Sequence, residues 1–536
     1  MKYILKGRVA ELDDAFTVLD TGAVYIDGPS IAAVQDAAAP PPAGFADVTS
    51  ISTAGTIFPG LIELHNHLSY NALTMWAVPH KFADRGAWQD NADYKRRVTG
   101  PMGVIARSTD PHLLASLVRY VETKCLLAGV TSSQGISLQS DHLNVYYRGA
   151  MRVVEDPTEH QFPKASTHIP DVAASEWEQF KRTLDRASCL LLHLSEGLDD
   201  KARAAFLALQ NSQGQWAISA ALAGIHCAGL HAEDFTVLAQ HGGSMVWSPL
   251  SNLLLYGGTA NVAAARSATL PISLGSDWSP TGSKNLLNEL KVAKTVCEVG
   301  GLEFTDRDLV LMATRTPASV VKWGGLVGSL EQGKRADLII VNFPKSTNVY
   351  TGLIQAKETD IQLVMINGRA VVGTPRLMSS LGAAGEKLTV GGKQRIIDYG
   401  PGDPNVPSLT YGEARAALAD ALQRLPHLLA DEAAGPGIGQ HPRPRATRAP
   451  RWRLALDEQL PTGFALRPKL PFAGQPTGPD VSLDRTLAAL AAVPLEPVPL
   501  DPVSVADDPA YAANLQAQKN LDPAIKEALK TFYPIG

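Results

Sequence analysis

Residues 112–135 read HLLASLVRYVETKCLLAGVTSSQG. Residues 112–129 space their apolar side chains as a helix does and stop at Gly129, after which VTSSQG reads as a short strand. The same step recurs downstream. EWEQFKRTLDRA (176–187) leads into SCLLLHL (188–194), and AEDFTVLAQHG (232–242) leads into SMVWSP (244–249). Helix-then-strand alternation across about residues 57–325 predicts a parallel α/β architecture, and the length suits a (β/α)8 barrel.

Moving outward, both flanks change period. Residues 1–56 hold KYILKGRV and GAVYIDGPSIAAVQ, alternating strands about an Asp-Gly turn. Residues 326–395 begin in the same way, with LVGSL, ADLIIVNF and IQLVMINGRAVVG. The two flanks are expected to pair into one small β-sandwich domain. Residues 396–536 form a Pro-rich extension: residues 401–536 hold 20 of the 37 prolines. Within it GEARAALADALQRL, SLDRTLAALAAV and PAIKEALKTF read as helices, and GPGIGQHPRPRATRAPRWR as an irregular arm.

The 536 residues are 45% hydrophobic and 19% charged, which excludes an intrinsically disordered chain. A net charge of −5 gives no reason to expect a nucleic-acid or membrane partner. The arginines of RPRATRAPRWR are read as a solvated or protein-facing arm. Four scattered cysteines without a CxxC pair suit buried thiols in a reducing compartment. The start, MKYILKGRVAELDD, lacks the apolar core of a secretory signal, and Ala217–Leu230 is too short to span a bilayer. Cytoplasmic location is the expectation.

The chemistry gathers where apolar runs end. PGLIELHNHL places His65 and His67 two residues apart, on one face of a strand. His193 ends SCLLLHL, Glu196 follows three residues later, His226 ends ISAALAGIHC, and Asp277 ends LPISLGSD. Each alone reads as a core histidine or a helix-capping acid. At 30–40 residues per β/α unit, their spacing fits strands 1, 5, 6 and 8 of a barrel, whose C-terminal strand ends collect catalytic groups. Jointly they point to a metal site. Nothing supports nucleotide binding or a serine hydrolase: the P-loop, GxGxxG and GxSxG patterns are absent.

PGLIELHNHL, HLSEG, GIHCAGL, SPLSNLLLYGG, LGSDWSP and GSLEQGKRADLIIV, in that order, resemble the motifs of the amidohydrolase superfamily. The likeness is strongest to the ATZ/TRZ-like branch of cytosine and guanine deaminases and triazine hydrolases. It covers about residues 1–375. The resemblance implies that His65, His67, His193 and Asp277 hold one divalent metal ion, zinc or alternatively iron. It implies that Glu196 moves protons, that His226 polarises the substrate, and that the chain is a homo-oligomer. Two-metal relatives carry a lysine near strand 4, where GAMRVVED has none. Lys164 in QFPKAST is the nearest, so one metal is expected.

The expected function is metal-dependent hydrolysis of a non-peptide C–N bond in a small molecule. Amide, lactam, carbamate or urea cleavage is placed ahead of deamination of a cyclic amidine, with catalysis by Glu196, His226 and Asp277. A non-catalytic binding protein on the same fold is the alternative of another class. Tyr70, Trp76, Phe82, Trp88 and Tyr94, after the first strand, would form a substrate lid or pack the loop. Trp278, Ser248, Asn252 and Tyr256 are second-rank pocket residues.

Overall fold

The computed structural model describes residues 1–108, 110–140, 143–428, 452–456 and 495–534. Two kinds of sheet divide it, and each follows from the period of its sequence. Period-2 segments from both flanks make one nine-stranded, mostly antiparallel sheet. Its order is Glu386–Val390, Lys393–Ile397, Arg369–Gly373, Ile361–Ile366, Leu338–Val341, Ser50–Pro59, Lys2–Ala10, Val18–Asp27, Ser30–Asp36. The flanks meet where Leu338–Val341 pairs with Ser50–Pro59, Leu338 facing Pro59 and Val341 facing Thr56. Leu5, Val9, Ile26, Ile57, Leu338, Ile340, Leu363 and Met365 pack together on that sheet. Asn367 and Gly368, at φ 51° and 71°, turn one hairpin, the left-handed pair that an Asn-Gly turn supplies.

The central block builds parallel strands in two runs. Leu61–Glu63, Val130–Ser133 and Arg152–Val153 form one, and Ala165–His168, Cys189–Leu194, Leu222–His226, Ser244–Trp247 and Ile272–Leu274 the other. These strands are almost wholly buried, as apolar runs covered on both faces should be. The runs touch at both ends: Ala165 N–H donates to Val154 O at 2.9 Å, and Asn66 bridges Asp277. The architecture is α/β, with helices between the parallel strands.

Helix Pro111–Leu127 starts as its sequence dictates, with Pro111 in its first turn and Asp110 accepting from His112 N–H. Helix Tyr411–Gln423, opened by a Thr410/Glu413 capping box, packs on it. Helix Pro523–Leu529 forms from PAIKEALKTF and packs on Leu286–Val299. SLDRTLAALAAV and nearly all of the Pro/Gly/Arg arm lie outside the described residues. Among the described residues no helix is long and apolar enough to cross a membrane. All four cysteines are buried and free.

Candidate active site

His65, His67, His193, His226, Glu196 and Asp277 all come together, each under a tenth exposed. His193 and His226 stand on adjacent parallel strands, whose register sets Leu194 against His226. Asp277 lies three residues past its strand and is tied to the first strand end: His67 N–H donates to Asp277 O at 2.7 Å, and Asp277 N–H to His65 O at 3.0 Å. Ser195, His226 and Asp277 hold left-handed backbone, φ 52°, 66° and 65°. Such strained residues persist where surrounding structure enforces them, often at functional sites. The left-handed Ser195 brings Glu196 round towards the centre.

His65 Nε2 and His67 Nε2 lie 3.4 Å apart, and His67 Nε2 and His193 Nε2 3.2 Å. Asp277 Oδ1 is 3.4 Å from His65 Nε2 and 3.6 Å from His67 Nε2. Two triads, His65/His67/Asp277 and His65/His193/His226, each keep one ligand atom per residue within 4.8 Å of one another. Burial, reinforced by neighbouring histidines, holds the His65 and His193 imidazoles well below the usual range. They are therefore neutral, the form that binds a metal. Burial pushes the Asp277 carboxyl up, against the pull of His226 and His67.

Helix Pro249–Tyr256 supports this centre from one face. Ser248, Asn252 and Tyr256 are spaced by four and so align. Ser248 Oγ is 2.6 Å from His65 Nδ1, Asn252 Nδ2 3.0 Å from His226 Nδ1, and Tyr256 O–H donates to Glu196 Oε1 at 2.8 Å. A donor chain fixes the state of His226. Trp247 Nε1–H donates to Thr259 Oγ1 at 2.7 Å, and that hydroxyl donates to Asn252 Oδ1 at 3.2 Å. Asn252 therefore presents its NH2 to Nδ1, which leaves the His226 proton on Nε2, 3.7 Å from Glu196 Oε2.

The loop after the first strand closes over the centre. Trp88 Nε1–H donates to Tyr256 Oη at 2.8 Å. The Trp278 ring lies 5.5 Å from His67, 5.9 Å from Trp88 and 6.2 Å from Tyr94. Trp76 and Phe82 instead stack on each other, and Tyr70 backs Trp278. Thus Trp88 and Tyr94, like Tyr70, pack on Trp278, the ring that lies beside His67, and Trp76 and Phe82 pack within the loop.

Sequence reasoning passed over Arg85, whose guanidinium reaches Ile169 O, Asp171 and Glu196. It also passed over Glu63, a buried acid accepting from Asn66 Nδ2 and from Ser276. Burial pushes its carboxyl up. Lys164 is exposed and pairs with Asp156 at 2.5 Å, so it is not among the site residues. His168 ends the strand Ala165–His168, with its pKa lowered to about 4 by burial.

The amidohydrolase family model matches residues 181–371. A 5-methylthioadenosine/S-adenosylhomocysteine deaminase from Caldanaerobacter subterraneus subsp. tengcongensis is 27% identical over 157 residues, 27% of this chain and 36% of that protein. Its counterpart from Syntrophus aciditrophicus is 24% identical over 429 residues, 70% of this chain and 93% of the relative. A crystal structure of an adenosine deaminase from Xanthomonas campestris with bound zinc superposes at a TM-score of 0.58 and 16% identity, covering 79% of this chain and 98% of that one. The fold is shared with that structure.

Proposed function

We propose that the chain belongs to the amidohydrolase superfamily and is a metal-dependent hydrolase of a non-peptide C–N bond in a small molecule. The convergence of three imidazoles, those of His65 and His193 held neutral by burial, with one carboxyl at a buried strand-end centre carries this reading. On this reading the two parallel runs are one (β/α)8 barrel. Residues 1–56 and 326–395 are its accessory β-sandwich, and 396–536 an extension.

The donor set suits one borderline divalent ion held by His65, His67, His193 and Asp277, zinc first and iron second. Bound there, it would supply Lewis acidity able to bring the pKa of water from roughly 15.7 to about 7. Asp277 takes the proton of the attacking water as its oxygen adds to an sp2 carbon. His226 Nε2–H donates to the ring nitrogen or carbonyl oxygen of that carbon, stabilising charge as it develops. Glu196, oriented by Tyr256 and Arg85, relays the proton that water has given up to the departing nitrogen as the C–N bond breaks. Trp88, Tyr94 and Trp278 exclude water and offer flat faces to a planar ring.

These residues serve amide cleavage and deamination alike. The deaminase relatives and the aromatic wall favour release of ammonia from an aminated heterocycle. The test is elemental mass spectrometry of chain purified without chelator or histidine tag. The expected result is about one zinc or iron per chain, lost in His65→Ala, with ammonia released from 5-methylthioadenosine, S-adenosylhomocysteine or adenosine. A chain that binds no metal even after reconstitution overturns the reading. A metal-loaded chain that releases an amine or an acid instead of ammonia moves the reaction to amide-type cleavage.

A further inference from the structure

Behind the histidine centre lies a second buried cluster that the proposed chemistry does not use. Lys124, in the last turn of helix Pro111–Leu127, is 1% exposed, and Lys284 is 3% exposed. Between them sits Asp501, which lies 130 residues beyond the last position matched by the family model, 501 − 371. Its Oδ2 accepts from Lys124 Nζ at 2.5 Å and its Oδ1 from Lys284 Nζ at 2.6 Å. Its backbone is stitched to the loop that follows His67. Leu500 bridges Leu73, Asp501 N–H donates to Ala72 O at 2.9 Å, and Tyr120 O–H donates to Asp501 O at 2.6 Å.

From Lys124 a continuous set of hydrogen bonds runs to the site. Its other two protons go to Asn71 O at 2.7 Å and Ser279 Oγ at 2.8 Å. Asn71 Oδ1 accepts from Ser279 N–H at 2.8 Å, and Asn71 Nδ2 donates to Asn66 Oδ1 at 2.8 Å. Asn66 separates His65 from His67, and Ser279 is two residues past Asp277. Three ammonium protons thus have three fixed acceptors, and one acceptor is set by the C-terminal segment. Without the Asp501 carboxylate, Lys124 would be drawn towards water and away from the two segments that carry three of the four metal-ligand candidates.

We propose that Asp501 is a positioning residue for the histidine centre, acting through Lys124 on the His65-Asn66-His67 and Asp277–Ser279 segments. The C-terminal segment is then part of what shapes the metal site. This rests on the metal-binding reading above, and the experiment separates the two.

In the full chain, zinc affinity is measured by competition with a chromophoric chelator, alongside Tm and the kcat and KM for ammonia release. Asp501→Asn is expected to weaken zinc about tenfold, as loss of support behind metal ligands does, and to lower Tm. The pair Lys124→Met with Asp501→Leu removes both charges. It should regain most of the lost Tm yet stay about tenfold weaker in zinc, with kcat lowered and KM within about twofold. Ser279→Ala, which removes one acceptor and no charge, should weaken zinc several-fold at unchanged Tm. Asp508→Asn, which touches Lys284 at 3.1 Å but is not among the partners of Lys124, should bind zinc as the parent does. Parental zinc affinity in the double variant or in Ser279→Ala overturns the inference and leaves the metal site standing. A parent chain that binds no zinc overturns both.

Discussion

Two buried polar clusters lie back to back in this molecule, and they are finished to different degrees. Lys124 and Lys284 share the Asp501 carboxylate at 2.5–2.6 Å, Asp508 meets Lys284 at 3.1 Å, and backbone and hydroxyl oxygens take the remaining protons. Around His65, His67 and His193, imidazole nitrogens face one another at 3.2–3.4 Å. Two facing ring nitrogens can share only one proton, so lone pairs remain directed at a common point. Buried polar groups normally satisfy one another. The complete cluster is scaffold, and the one whose lone pairs converge is poised for a cation. Burial alone, the same in both, does not tell them apart.

Asp277→Asn tests the converging cluster hardest. The amide keeps an oxygen for a metal and loses the basicity needed to take a proton from water. Turnover should fall about 10²–10⁴-fold, the usual worth of a general base, while metal content stays near that of the parent. Measuring kcat and bound metal on the same preparation decides it, and undiminished turnover removes Asp277 from the proposed role. Asp501→Asn is the matching break in the complete cluster. Its signature is reversed: a loss of about 3–5 kcal/mol of unfolding free energy, expected when one partner of a buried pair is removed, against a smaller loss of turnover. Urea unfolding of the two variants side by side gives the comparison. If Asp501→Asn unfolds like the parent, the pairing is not what holds the segment.

Thr259→Val reaches the centre more gently. It removes the hydroxyl that orients the Asn252 amide, so His226 can take up the other tautomer and lose its Nε2–H. Because the donor is loosened and not removed, kcat should fall by less than the about 10²–10³-fold that outright loss of a hydrogen bond to developing charge costs, with KM and Tm little changed. An unchanged kcat means that the amide orientation is held by other contacts.

What the sequence disclosed, and what it withheld, follows the same division. His65, His67, His193 and His226 were legible because each ends an apolar run at a barrel-like interval. The flanking strands were legible by their period and their Asp-Gly and Asn-Gly turns. Ser248, Asn252 and Tyr256 ranked second from residue type, although their four-residue spacing already placed them on one helical face. The Lys124–Asp501 pair was illegible because its partners stand 377 positions apart. A lysine amid apolar helix residues also reads as a snorkelling surface group. Arg85 was hidden for a related reason: only the folded loop brings it to Glu196.

Glu289 offers the finest test, since it belongs to neither cluster and no effect on turnover is expected. It is fully buried on Leu286–Val299, accepting from Leu250 N–H at 3.1 Å and from the Ser283 hydroxyl. Burial pushes its carboxyl up from 4.5 to about 8. A raised acid keeps its proton in the folded state after the unfolded chain has released it. Its contribution to stability is therefore whole below pH 4.5 and declines as pH rises to about 8. Glu289→Gln mimics the protonated acid, keeping an oxygen for Leu250 and offering N–H to Ser283. Urea titrations across that window should show the parent losing stability with a slope of up to about one proton more than the variant, the two converging at the acid end. Parallel curves would mean that Glu289 ionises at its ordinary pKa in the folded chain, and that a buried acid beside these clusters is hydrated as no contact here indicates.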